Sequence, residues 1–120
     1  MGKKDELRLT DYLGHILQAI ERIFLYVQDL DLIAFEKDIK TQDAVIRNFE
    51  IIGEASNNVR QIFREFADEH PEIPWRLAYE LRNVLAHGYF QTDLETVWST
   101  IHNQLPELAQ RVEDARNANN

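Results

Sequence analysis

The sequence predicts an all-α fold, an antiparallel up-and-down bundle of four to five helices. Three observations lead there. Apolar residues recur at intervals of three and four along most of the chain, the period of a helix with one buried face. The 120 residues include only four glycines and three prolines, so few points interrupt a helix. No stretch shows the strict apolar-polar alternation of a half-buried strand.

The first helix is expected from about Thr10, a side chain suited to capping, with Tyr12, Leu13, Ile16, Ile20, Ile23, Phe24 and Val27 on one stripe. Residues 28–40 mix Asp29, Asp31, Phe35, Glu36, Lys37 and Asp38 without a clean period, so they read as a connection with room for one helical turn. Thr41 can cap a second long helix through Val45, Phe49, Ile52, Val59, Ile62, Phe63 and Phe66, closing before Pro71. Gly53 inside that helix costs about 1 kcal/mol relative to Ala and often marks the close approach of another backbone.

A third helix follows Pro74 and runs to about His87, where Gly88 suits a left-handed C-cap; its core stripe is Ala78, Leu81 and Leu85. Thr92 and Glu95 have capping-box spacing and open a fourth helix with Leu94, Val97, Trp98, Ile101 and Leu105, which Pro106 kinks or ends. Leu108 and Val112 form a last apolar set. The length suits one domain, with residues 1–9 and 114–120 expected as frayed ends.

Composition excludes whole classes of chemistry. There are no cysteines, which removes disulfides, thiolate nucleophiles, iron–sulfur clusters and cysteine-ligated zinc. His15, His70, His87 and His102 have no zinc-binding spacing, so no metal site and no cofactor are expected. A Gly-rich phosphate loop and a serine-hydrolase elbow are also missing. No apolar run approaches the ~18 residues of a membrane span, and the first residues lack a signal-peptide core; the expected location is cytoplasmic. The net charge of −8 argues against broad affinity for nucleic acid. Even residues 47–82 hold five arginines against seven acids.

One constellation can carry chemistry. At about 100° per residue, Arg76, Glu80, Asn83 and His87 share a polar stripe opposite Ala78, Leu81 and Leu85, and the long side chain of Arg82 can swing towards it. Tyr89 follows the cap. Arginine offers a planar fork for a phosphate, asparagine a neutral donor and acceptor, and histidine a proton exchangeable near neutral pH, a set suited to phosphodiester cleavage. The same residues also suit an ordinary helix end, where cations favour the dipole and Asn83 and His87 form a solvated pair. Glu80 is best taken as a solvated surface carboxylate, and Trp75 and Trp98 as core or interface anchors.

Residues 70–90 close on Arg82, Asn83, Val84, Leu85, Ala86, His87, Gly88 and Tyr89, and this stretch resembles the HepT-like branch of the HEPN superfamily. It contains that branch's R-x4-H-x-Y motif as Arg82, His87 and Tyr89, and the superfamily's R-N-x3-H as Arg82, Asn83 and His87. Residues 42–55 resemble the family's second-helix signature and residues 93–98 the segment after its motif, so the resemblance spans about residues 10–110.

The resemblance implies a metal-independent endoribonuclease, the toxin of a type VII toxin–antitoxin pair, acting on RNA and not DNA as a homodimer whose cleft joins two motifs. It implies catalytic roles for Arg82 and His87, with Asn83 holding the phosphate or orienting His87. It further implies an MntA-like nucleotidyltransferase partner that uses ATP to place AMP on Tyr89 as an off switch. Two other readings fit an isolated helical bundle: a non-catalytic accessory subunit that binds nucleotide or substrate for a partner nucleotidyltransferase, and a scaffolding dimer.

Overall fold

The computed structural model describes residues 3–83 and 93–119, and every element among them is helical. Two long helices form the spine, α1 (Lys3–Val27) and α3 (Ile39–Ile62), joined through a short α2 (Leu32–Lys37). On α1 the buried positions are Leu9, Leu13, Ile16, Ile20, Ile23 and Val27; on α3 they include Val45, Phe49, Ile52 and Val59. Alternating steps of four and three keep each stripe facing its partner along the whole length, the pattern of helices packed at a shallow angle. The pair is antiparallel, because Tyr12 near the start of α1 meets Phe63 just past the end of α3, ring centroids 6.4 Å apart.

Next come α4 (Arg64–Glu69), α5 (Trp75–Glu80), a 3₁₀ turn (Leu81–Asn83), α6 (Leu94–Asn103) and α7 (Leu105–Ala118). Both α5 and its 3₁₀ turn lie on α3, whereas α7 packs on α1 and α6 on α7 and α2. The side chain of Arg116, late in α7, approaches Gly14 near the middle of α1, while α6, which leads into α7, meets α2 just past the end of α1, Phe35 and Trp98 lying 5.2 Å apart between ring centroids; α7 therefore runs antiparallel to α1. The bundle is thus the predicted all-helical one. No helix among the described residues is long and apolar enough to cross a membrane.

Several predicted boundaries shift for identifiable reasons. Helix α1 starts seven residues before Thr10, because Leu9 belongs to the same buried stripe at 2% exposure. The expected connection at 28–40 folds as α2: Asp31 accepts the Ala34 N–H at 2.8 Å, and Phe35 is wholly buried. Asp38, not Thr41, caps α3, its carboxylate accepting the Thr41 N–H at 3.0 Å and the Thr41 hydroxyl at 2.7 Å. Those two bonds, the backbone one foremost, hold the Asp38 carboxyl below the usual carboxylate range.

The second long helix breaks at Phe63 (φ −120°, ψ 54°), which turns Phe63 and Phe66 inward and leaves Ile62, expected in the core, 47% exposed. Asp93 precedes α6 and takes a hydrogen bond from the Thr96 hydroxyl, while Thr92 of the expected capping box lies outside the described residues. Pro106 occupies the first turn of α7, where its missing N–H costs nothing, so the predicted interruption falls at Gln104. The expected frayed end also needs correction: α7 continues through residues 114–118 because Ala115, at 2% exposure, extends the buried row of Leu108 and Val112.

Candidate functional site

The site is built on α5 and its 3₁₀ extension, and α5 is held at both ends. At its start the Trp75 indole N–H donates to the carbonyls of Ala67 (3.2 Å) and His70 (3.1 Å), satisfying acceptors at the end of α4. Trp75 is therefore a buried anchor, as its composition suggests. His70 stacks on Phe66 with centroids 4.5 Å apart and shares a 2.8 Å hydrogen bond with Glu72, a contact that lowers the Glu72 carboxyl from its ordinary value. Along α5, Ala78 and Leu81 face the core as predicted, at 0% and 7% exposure.

At its far end the helix tightens. The Leu81 N–H bonds to both Ala78 and Tyr79 carbonyls, the shared bonding of a helix passing into a 3₁₀ turn. That turn presses Arg82 against α3. A methyl group added to Gly53 would lie 2.3 Å from the Arg82 backbone nitrogen, 2.5 Å from its Cβ and 2.8 Å from its Cα, so only hydrogen fits at residue 53. The backbone approach expected from an isolated glycine is there, and the chain that approaches is the first residue of the motif. Arg82 and Asn83 are both half-buried. His87 and Tyr89 lie outside the described residues, as do Leu85 and Gly88 of the predicted helix end.

Two side chains outside the motif join this corner. The Arg60 guanidinium carbon stands 4.2 Å from the Tyr79 ring centroid and that of Arg82 5.8 Å from the same centroid. A single tyrosine thus gathers an arginine from α3 and the motif arginine, both at cation–π distance. Sequence reasoning passed over Arg60 and Tyr79. The available signals are that Tyr79 sits three residues before Arg82 and that residues 55–64 contain two arginines and no acid. Glu80, by contrast, is accounted for by a 3.1 Å ion pair with Arg76, with side chains 50% and 86% exposed, a contact that solvent leaves weak. Among the described residues no group of three His, Asp or Glu side chains is placed to hold a metal ion.

Chemically, the corner brings two guanidiniums together on one ring, with no carboxylate paired to Arg60 or Arg82 among the described residues. Comparison with known proteins points the same way. The family model described as Ribonuclease HepT-like matches residues 16–115. The protein named "Probable ribonuclease HepT" from Thermococcus cleftensis is 42% identical over 106 residues, covering 88% of this chain and 94% of that one. The protein named "Putative RNase MJ0127" from Methanocaldococcus jannaschii is 35% identical over 114 residues, 95% of this chain and 89% of its own. No solved structure matches the chain.

Proposed function

The chain belongs to the ribonuclease HepT-like family, and we propose that it is a toxin ribonuclease cutting RNA by metal-independent attack of a ribose 2′-OH. The observation carrying this reading is the seating of Arg82 on Gly53, which fixes the first residue of the R-N-x3-H motif against α3, one of the two long helices of the bundle. A residue that binds charge developing in a transition state gains from being held in place beforehand, since no free energy is then spent ordering it.

In the proposed reaction a base removes the 2′-OH proton, the 2′ oxygen bonds to phosphorus, and the phosphorus–O5′ bond breaks as an acid delivers a proton to O5′. One chain supplies one motif histidine. A homodimer with two motifs across its two-fold axis supplies two, so His87 of one protomer acts as base and its counterpart as acid, with both Arg82 side chains on the phosphate. Asn83 holds the phosphate or orients His87. The products are a 2′,3′-cyclic phosphate and a 5′-hydroxyl, and DNA, lacking the nucleophile, is spared.

Control belongs to an MntA-like nucleotidyltransferase that spends ATP to attach AMP to Tyr89. An adenylyl group beside Arg82 and His87 places its phosphate where the RNA phosphate goes, excluding substrate by bulk and like charge. The test is purified protein with end-labelled RNA and the DNA of the same sequence. Cyclic-phosphate ends from RNA alone, lost in His87→Ala, are expected; full activity in His87→Ala overturns the mechanism. Intact mass after co-expression with the nucleotidyltransferase should rise by one adenylyl group in the wild type and stay fixed in Tyr89→Phe.

A further inference from the structure

Near Arg82 a groove of about 440 Å³ opens between the end of α3, the length of α4 and the start of α5, lined by Arg60, Gln61, Arg64, Ala67, Asp68 and Trp75. We propose that this groove binds the phosphates of RNA that flank the scissile one, with Arg60 and Arg64 as the binding residues. The proposal rests on RNA being the substrate of the motif and adds a second anchoring point to it.

Position is the first argument. Arg60, on the groove wall, lies against Tyr79, the ring that also gathers Arg82, so a groove arginine and the motif arginine meet at one side chain. A polynucleotide held at Arg82 by its scissile phosphate must extend over neighbouring surface in both directions; a second concavity nearby, lined by Phe49, Leu77, Glu80 and Leu81, holds no arginine among the described residues, whereas this groove holds two. Arg60 and Arg64 stand on either side of the helix break at Phe63, and both reach the groove wall.

Charge is the second argument. The whole chain carries −8, which repels an RNA backbone, so capture must be local. Residues 55–64 form a ten-residue stretch with two arginines, two asparagines, a glutamine and no acid. One carboxylate, Asp68, lines the groove, and among the described residues it pairs with neither arginine. Arg60 and Arg64 are exposed and so keep donors for an incoming anion. The contact of its guanidinium with the Tyr79 ring, 4.2 Å from the centroid, also restrains the Arg60 side chain, which lessens the ordering cost of gripping a phosphate.

The experiment uses a short single-stranded RNA with every 2′-OH methylated, which cannot be cut by 2′-OH attack, and measures its binding by anisotropy over a salt series. Arg60→Gln with Arg64→Gln should weaken binding roughly tenfold and lower the slope of log affinity against log salt by about 1.4, the share of two phosphate contacts on a single strand. A control with the same charge loss elsewhere, Arg22→Gln with Lys37→Gln on α1 and α2, should stay within about twofold of wild type. Equal losses in both double variants, or none in the first, overturn the groove. Cleavage of unmodified RNA by the wild type is scored separately. Cutting with no Arg60/Arg64 effect on binding leaves the nuclease standing without the groove. Groove-dependent binding without cutting does the reverse, and wild type that binds no RNA overturns the groove.

Discussion

Replacing Gly53 with alanine tests how the motif is positioned, and the structure supplies the magnitude. The new methyl would sit 2.3 Å from the Arg82 backbone nitrogen, over 1 Å inside ordinary contact, and its neighbours, two backbone atoms and the Cβ fixed to them, cannot swing aside. The 3₁₀ turn and α3 must therefore separate. Overpacking of this kind costs about 1–3 kcal/mol, while alanine regains about 1 kcal/mol of helix propensity, so the net loss of stability is about 0–2 kcal/mol. Such a loss lowers the melting temperature by a few degrees and leaves the protein folded. Activity is far more sensitive, because a displacement of about 1 Å in a catalytic group can cost about a hundredfold. The assay is kcat/KM on RNA beside a thermal melt, with Glu54→Ala, an exposed neighbour on the same helix, as control. Gly53→Ala that cuts RNA within about threefold of wild type would refute the claim that this contact positions Arg82.

Three further outcomes are expected. Asp38→Ala should lower the melting temperature at neutral pH. Because the folded state holds that carboxyl below its unfolded value, the stabilisation is present above the unfolded pKa and lost as pH falls through the folded one; the variant and wild type should converge in acid, and a gap independent of pH would contradict the capping role. Trp75→Phe removes the donor that serves the Ala67 and His70 carbonyls and should cost about 1–2 kcal/mol in chemical denaturation, with near-wild-type stability as the contrary result. Chelation with EDTA should leave RNA cleavage unchanged at fixed ionic strength; a loss restored by a divalent ion would replace two-histidine catalysis with metal chemistry.

The helices were readable because their signals are local. The four-and-three spacing of Leu13, Ile16, Ile20, Ile23 and Val27 specifies a buried stripe whatever it meets, and Pro106 interrupts a helix through its own missing N–H. Arg82, Asn83, His87 and Tyr89 could be singled out because they lie in one short segment that resembles a known family; their spacing alone suits an ordinary helix end equally well. Where local signals competed, reading failed. Thr41 and Asp38 both have capping side chains, and the choice went to the aspartate because a carboxylate three residues upstream can take both the Thr41 N–H and its hydroxyl. The break at Phe63 has no proline or glycine to announce it; burial of Phe63 and Phe66 against the bundle decides it.

By itself, then, the order of residues determined that the chain is helical and where most apolar faces lie, and its likeness to a known family nominated four residues for the motif. That Gly53 is the seat for Arg82 and that Arg60 shares Tyr79 with it were decided only by tertiary packing. Both contacts join residues about twenty or more positions apart, and no periodicity within one helix states which turn of another will cross it, or how closely.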